Sequence, residues 1–275
     1  MKKELSLFII FLCISFISCS DDNEGASAKV YVPEEYRDNY LQLIYINDWI
    51  MTDKIELKVG QLGLFKIEGG HDTYNNAQSQ NEEIANVRKH PYIQNATTIE
   101  CLKLGSTYIT VNGKNGAEIT IPLTISENSR RYVLSKSEPE IRIIMTGKNE
   151  SEDLIKNTII EKIKERHILT GSLDFIYDKP SSGRFVVKNS NDEEIHSGVF
   201  EQYVDNQYNK FNMKSEELEY DFIVADYTQY ITLRSSALEY TYFIEDLTEL
   251  FRIDYPDIIK VSVISAFYYS WYYYY

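Results

Sequence analysis

Short runs in which apolar and polar residues alternate recur along the first half of the chain. Residues 54–59 read Lys-Ile-Glu-Leu-Lys-Val, and other β-rich runs lie at residues 40–46, 62–67, 98–102, 108–111 and 117–121. Because successive side chains of a strand point to opposite faces, alternation with a period of two places one face against a core and the other in water. The loop at residues 112–116 holds two Asn-Gly steps, which favour a tight hairpin because both residues tolerate positive φ. The pattern predicts an all-β sandwich over residues 30–127.

A helical period appears once, shortly after residue 150. Leu154, Ile155, Ile159 and Ile163 fall on one face of a helix that is predicted to end near Arg166. A strand at residues 141–145 precedes it. The polar and charged residues 126–139 are interpreted as a linker or boundary between this unit and the sandwich.

Short strands are predicted again after this helix. They lie at residues 173–177, 183–187, 195–201, 208–213, 218–224, 230–233 and 258–267. A second helix is predicted over residues 242–253, with Leu247, Leu250 and Phe251 facing inward. Pro256 would prevent this helix from continuing further. The expected fold class is therefore mainly β: a sandwich followed by an α+β antiparallel meander domain with two helices at residues 130–275.

The first 19 residues are predicted to be an export signal. Lys2 and Lys3 precede an apolar run at residues 5–17, and Ser18 precedes Cys19. A cationic start, a short apolar core and a small residue before the cut are typical of a secretory signal. The run is shorter than the roughly 20 residues that cross a bilayer, so a transmembrane anchor is the poorer interpretation.

Cys19 resembles the lipidated cysteine of bacterial lipoproteins, although Phe16 stands where Leu is usual. The resemblance implies a diacylglycerol on the Cys19 thiol; an ordinary secretory signal with an incidental cysteine is the alternative. Residues 20–29 include Asp21, Asp22 and Glu24 and resemble the acidic stretch of surface-exposed lipoproteins of Bacteroidetes. That implies a lipid-anchored protein on the outer membrane, exposed at the cell surface, whereas a plain flexible tether would have the same composition.

Charge and cysteine content narrow the possible partners. The chain holds 28 basic and 42 acidic side chains, for a net charge of −14. Such a surface repels phosphate backbones, so nucleic acid is not expected as a partner. Cys13 lies within the signal and Cys19 would carry lipid, which leaves Cys101 without a disulfide partner.

Part of the first unit resembles a known domain family. Residues 59–61, 83–87, 104–111 and 119–125 together look like a bacterial immunoglobulin-like domain of group 2. The likeness covers roughly residues 52–127 and departs from the family at residues 90–94, which replace a compact turn, and at Pro122 in the last strand. The family has no catalytic residues, so the resemblance implies a spacer or adhesive module. More weakly, residues 246–251 and 255–257 resemble uncharacterised or lipocalin-like C-terminal domains of Bacteroidetes lipoproteins.

No motif in the chain predicts catalysis, a metal site or a cofactor. The histidines at positions 71, 90, 167 and 196 lack metal-ligand spacing, and there is no Gly-x-Ser-x-Gly or Gly-rich phosphate loop. Cys101 lies between apolar residues and is better explained as a buried side chain than as a nucleophile. The loop at His71 and Asp72 is expected to be solvated rather than a metal or sugar site. Acidic clusters at residues 192–194, 216–219 and 245–249 leave open a hydrolase with two carboxylates.

Tyrosine is the conspicuous residue, with 23 copies. The C-terminal run includes Tyr268, Tyr269, Trp271 and Tyr272, which are the candidate binding residues because aromatic rings suit sugar stacking and partner recognition. Strand propensity or a compositional bias would also explain them. The leading prediction is a non-catalytic envelope lipoprotein that binds a glycan or protein. The alternatives are a glycan-directed hydrolase accessory and a structural subunit of a surface assembly.

Overall fold

The computed structural model describes residues 27–34, 48–70, 72–135, 138–146, 151–216, 218–229 and 238–269. Within these ranges the protein is mainly β, with two helices and sheets that are almost wholly antiparallel. The fold class expected from the sequence is confirmed at this level. The predicted strands at residues 40–46 and 230–233 lie outside the described residues.

The first unit consists of two sheets that share a core. Its strands are β1 (Lys29–Pro33), β2 (Trp49–Thr52), β3 (Ile55–Lys58), β4 (Leu62–Glu68), β5 (Tyr74–Ser79), β6 (Ala85–Lys89), β7 (Ala96–Cys101), β8 (Gly105–Gly113) and β9 (Glu118–Ser126). One sheet has the order β2-β1-β4-β7-β6 and the other β3-β9-β8-β5. Pair β3–β9 is parallel. Buried side chains of both sheets, such as Phe65 and Ile99 from one and Leu57 and Leu123 from the other, belong to one apolar cluster.

The second unit contains nine strands and both helices. Its elements are β10 (Asn128–Leu134), β11 (Glu140–Met145), α1 (Glu152–Arg166), β12 (Ser172–Lys179), β13 (Ser182–Lys188), β14 (Glu194–Asp205), β15 (Tyr208–Lys214), β16 (Glu219–Gln229), β17 (Leu238–Asp246), α2 (Thr248–Arg252) and β18 (Ile258–Tyr269). Strands β12 to β18 pair in sequence order. Strand β10 pairs with β12 and also with β18, where Tyr132 lies opposite Leu173 and Tyr269. These pairings join eight strands into a closed barrel, and β11 extends the sheet beside β18.

The barrel interior is filled with aromatic side chains, one from each of the eight strands. All are buried: Tyr132, Phe175, Phe185, Phe200, Phe211, Phe222, Phe243 and Phe267. Phe243 lies near the centre, with ring centroids 5.4 Å from Tyr132, 5.2 Å from Phe267 and 5.8 Å from Phe222. Eight strands enclose a space that side chains can fill, and here the rings occupy it.

The two units join without a linker. Glu127 alone separates β9 from β10. Asn128 Nδ2 donates a hydrogen bond to the carbonyl oxygen of Val59 (3.2 Å), and a Cβ built on Gly60 would lie 3.5 Å from Pro180 Cα. The start of β10 and the turn between β12 and β13 therefore form the near end of the barrel, which contacts the sandwich. The opposite end is called the far end below.

Two local predictions are wrong. The segment at residues 126–139 is not a linker, because residues 128–134 form β10 and Tyr132 packs in the barrel. The predicted helix at residues 242–253 begins as β17, where hydrogen bonding to β16 and β18 holds the chain extended. Only the five residues of α2 are helical there.

Two predicted core residues also prove to be exposed. Leu154 is 70% exposed at the start of α1, and Leu250 is 49% exposed in α2. Ile159 and Ile163 of α1, and Leu247 and Phe251 near α2, are buried together as expected. The apolar stripe of α1 is thus narrower than the sequence indicated.

Candidate functional site

A group of polar side chains lies at the far end of the barrel, beneath the C-terminal end of α1. This far-end cluster consists of Arg166, His167, Tyr220, Glu245 and Ser265. Arg166 Nη2 donates to Glu245 Oε1 at 2.6 Å. Tyr220 Oη donates to the carbonyl oxygen of Arg166 at 2.8 Å, and the Arg166 guanidinium lies 5.3 Å from the Tyr220 ring centroid. His167 Nε2 lies 3.5 Å from Ser265 Oγ. The cluster thus connects the end of α1 to strands β16, β17 and β18.

Strand alternation explains why these polar side chains face inward. Glu245 follows Thr241 and Phe243 at a spacing of two on β17, and all three are buried. Tyr220 and Phe222 alternate in the same way on β16. The connector at residues 167–171 then carries the buried residues Ile168 and Leu169 into the main core. The end of α1 and this connector therefore cover the far end of the barrel.

Burial dominates the electrostatics of this cluster. It raises the pKa of Glu245 to about 7, against the attraction of Arg166 and with the added repulsion of Asp221. Burial also lowers the pKa of His167, which favours the neutral form of its imidazole. The pKa of Tyr220 rises to about 12 because burial disfavours its phenolate. Glu245 is the one acidic side chain that is buried in the described part of the chain, so these residues do not assemble a pair of inward carboxylates.

A second notable feature is the hairpin between β14 and β15, which carries exposed apolar residues. Asp205 lies opposite Tyr208, and the two turn residues Asn206 and Gln207 have φ of 47° and 74°. Two positive φ values are typical of a type I′ turn, whose twist matches that of the strands. Tyr203, Val204 and Tyr208 are 42%, 71% and 57% exposed, and with the turn they form the hairpin tip. Tyr203 and Tyr208 share the outer face of the sheet.

The hairpin tip is ordered by contacts within the hairpin itself. Lys210 Nζ donates to Asp205 Oδ2 at 2.6 Å, between the two tyrosines. Strand β15 pairs with β16 from Asn209 to Lys214, and β14 pairs with β13 up to Glu201, so the hairpin tip extends beyond the barrel wall. Sequence reasoning missed this site; the two adjacent apolar residues Tyr203 and Val204 before a turn were the available signal.

The residues predicted as sites from the sequence fall mostly outside the described part of the chain. Cys19, Trp271 and Tyr272 lie outside it. Tyr268 and Tyr269 are the last two residues of β18, and their backbones pair with Val133 and Tyr132 of β10. The predicted role of this C-terminal run in binding stays a prediction.

The other chemical candidates have structural roles. Cys101 is buried in β7, and burial raises the pKa of its thiol to about 12. The Asp72 carboxylate accepts hydrogen bonds from the backbone N–H groups of Thr73, Asn115 and Ala117, so it orders the β8–β9 hairpin. His90 Nδ1 accepts hydrogen bonds from the backbone N–H groups of Tyr92 and Ile93, which shapes the turn that departs from the immunoglobulin-like pattern.

The described residues contain no group of three or more His, Cys, Asp or Glu side chains suited to a metal ion. Among the helices in the described ranges, none is both long and apolar enough to pass through a bilayer.

Comparison with known proteins adds little. No family model matches the chain, and no curated protein matches it. A crystal structure from Bacteroides ovatus, described as a structural genomics protein of unknown function, aligns with 79% of this chain and 90% of its own. The identity is 7% and the TM-score 0.32. A similarity this low establishes neither a shared fold nor a shared function.

Proposed function

We propose that this protein is a non-catalytic lipoprotein of the cell envelope, anchored through a lipid on Cys19 and exposed on the outer membrane, whose barrel binds a glycan or a protein. The observation that carries the proposal is the hairpin tip, where Tyr203, Val204 and Tyr208 are exposed on a paired hairpin that extends from the barrel wall. Rigid tyrosines provide contact area and a hydroxyl at low entropic cost.

The filled interior of the barrel supports binding on the outside. Barrels that hold a small ligand inside keep an open cavity at their centre. Here the rings of Phe175, Phe200 and Phe211 lie 4.7 to 5.9 Å apart, centroid to centroid. A ligand inside would have to displace this core, whereas the hairpin tip is already exposed.

The charges favour binding over the hydrolase alternative. A glycosidase needs two carboxyl groups, about 5 to 9.5 Å apart, on either side of a bound sugar. Glu245 is buried against Arg166 beneath α1, and Asp174 is held on the outer face by Arg131 at 2.6 Å. Each of these two carboxylates therefore has a structural partner. The net charge of −14 argues against nucleic acid as the partner.

We further infer that the first unit is an immunoglobulin-like sandwich that acts as a spacer, and that the second is a lipocalin-like barrel. The two-sheet arrangement with a parallel β3–β9 pair supports the first inference. The closure of eight strands that pair in sequence order supports the second. The direct joint at Glu127 would hold the barrel at a fixed orientation relative to the sandwich.

The alternative of a structural assembly subunit would call for an open edge in the last strand. In its described part, β18 pairs with β17 on one side and with β11 and then β10 on the other. A covered strand does not offer its backbone to another chain. This favours recognition by side chains at the hairpin tip over strand addition at β18.

The test is a glycan array and an envelope pull-down with residues 28–275, comparing three variants. The double variant Tyr203→Ser and Tyr208→Ser should lose a specific hit, because both rings leave the hairpin tip. Tyr108→Ser is the matched control, since Tyr108 is exposed on the sandwich, and it should retain the hit. Replacing Trp271 and Tyr272 by Ser separates the hairpin tip from the C-terminal run. Equal binding by the hairpin variant, or no specific hit with the unaltered chain, would contradict the proposal.

A further inference from the structure

One strand of the second unit has an edge along which no strand of the described ranges pairs. Strand β11 pairs with β18 on one side and ends the strand order of its sheet. Directly after β11, the N–H of Thr146 donates to the carbonyl oxygen of Asp257, just before β18, at 2.8 Å. Because backbone groups alternate in direction along a strand, the N–H and C=O groups of Ile141 and Ile143 face the open edge. Such an edge is a template for a further strand.

The side chains along this edge differ between the two faces of β11. Ile141 and Ile143 point inward and pack against the apolar cluster beneath α1. Glu140 and Arg142 point outward, are 59% and 60% exposed, and form an ion pair at 2.6 Å. Charged side chains of one sign protect an edge strand by repelling another copy of itself. The outer face of β11 instead carries one charge of each sign.

The backbone limits the registers in which two such edges can pair. Facing residues of an antiparallel pair either exchange hydrogen bonds or both turn their backbone groups away, so odd-numbered residues must lie opposite odd-numbered ones. A register with Glu140 opposite Glu140, or Arg142 opposite Arg142, places like charges together and is destabilised. The register between these two has Ile141 opposite Ile141, and each Glu140 then lies opposite the Arg142 of a second copy. In this register β11 is complementary to itself.

We propose that β11 is a dimer interface, in which the β11 strands of two copies pair antiparallel about a two-fold axis at Ile141. The two copies of Ile141 exchange their N–H and C=O hydrogen bonds across this axis. Pro139, which precedes β11, has no N–H, so the ladder is short and the dimer is in equilibrium with the monomer. The same patch is used by both copies, so the assembly closes at two. Strands β16, β17 and β18 separate β11 from the hairpin tip, which stays accessible in the dimer.

Disulfide trapping on residues 28–275 tests the register. Glu140→Cys and Arg142→Cys are purified separately and then mixed under oxidising conditions. Opposite residues that do not exchange hydrogen bonds have Cα atoms about 4.5 Å apart in an antiparallel pair, within reach of a disulfide. The mixture should therefore form a disulfide-linked dimer readily, whereas each variant alone should not, and Cys101 is buried and does not compete.

Arg184→Cys is the matched control, because Arg184 is 57% exposed on the inner strand β13 of the sheet and reports random collisions. A mixture that forms linked dimers no faster than this control would overturn the proposal. Faster linkage of Glu140→Cys alone than of the mixture would overturn it as well, because a different register would then be formed.

Sedimentation equilibrium over a series of concentrations measures the dimer without a cross-link. The unaltered chain should approach twice the monomer mass as the concentration rises. Arg142→Glu replaces both attractive contacts by repulsive ones and should raise the Kd on the order of 10-fold, and adding Glu140→Arg to it should restore dimerisation. Arg184→Glu should behave as the unaltered chain. A monomer at every concentration, or a dimer that Arg142→Glu leaves unchanged, would contradict the assignment of β11 as the interface.

Discussion

Replacing Phe243 by Ala should destabilise the barrel by about 4 kcal/mol, the range for removing a buried phenylalanine being about 3–5 kcal/mol. Phe243 is fully buried, and its ring lies within 6.0 Å, centroid to centroid, of Tyr132, Phe175, Phe222 and Phe267. The barrel is closed by backbone pairing on all sides, so its walls can relax only slightly into the space left behind. The loss of stability should therefore include both the transfer free energy of the buried ring and the cost of the cavity that it leaves.

Urea unfolding followed by near-ultraviolet circular dichroism measures this loss, because the buried rings give that signal. With a slope of about 2–3 kcal/mol per molar urea, the midpoint should fall by about 1.3–2 M. Phe243→Leu should cost only about 1–2 kcal/mol because it keeps more of the volume. Benzene should recover part of the stability of the Ala variant by occupying the apolar cavity.

The matched control is Tyr203→Ala, which removes a ring of the same barrel from the exposed hairpin tip. Its free energy of unfolding should change by no more than about 0.5 kcal/mol. A loss below about 1 kcal/mol for Phe243→Ala would mean that the barrel interior is not packed. Binding on the outside of the barrel would then no longer be favoured over binding inside it.

Three other outcomes are expected. The Cys101 thiol should resist iodoacetamide at pH 8 in the folded chain and react after unfolding, because burial raises its pKa to about 12; rapid labelling of the Cys101 peptide in the folded protein would show that β7 is open. Asp72→Ala should speed hydrogen exchange in the turn at residues 113–117 without a general loss of protection, since its carboxylate accepts the backbone N–H groups of Asn115 and Ala117; unchanged exchange there would disprove its ordering role. Cys19→Ala should move the protein from the membrane fraction to the soluble fraction, and retention in membranes would refute lipid anchoring.

Local sequence patterns were sufficient to predict those helices and strands whose own apolar residues show the spacing of the element. Helix α1 was predicted to end near Arg166 because its isoleucines recur at helical spacing. The strands β12 and β13 were predicted from short apolar runs around a Pro-Ser-Ser-Gly turn. In these elements local propensity and tertiary packing favour the same structure.

Prediction failed where the deciding contacts come from distant parts of the chain. The segment around Phe243 is apolar on both faces, which fits a buried strand or a helix; pairing with β16 and β18 selects the strand. The partner of Glu245 is Arg166, 79 residues earlier, so no local motif marks the far-end cluster. The adjacent apolar residues Tyr203 and Val204 mark the hairpin tip in the sequence, but their exposure follows only from the fold of the barrel.

The pairing of β10 with β18 has a consequence for how the chain folds. These are the first and last strands of the barrel, and Leu134 lies opposite Phe267. Closing so long a stretch of chain costs entropy before the pairing stabilises anything, and folds dominated by such distant contacts form slowly. The barrel cannot close until β18 is available, so closure should be a late step that follows the synthesis of β10 to β17.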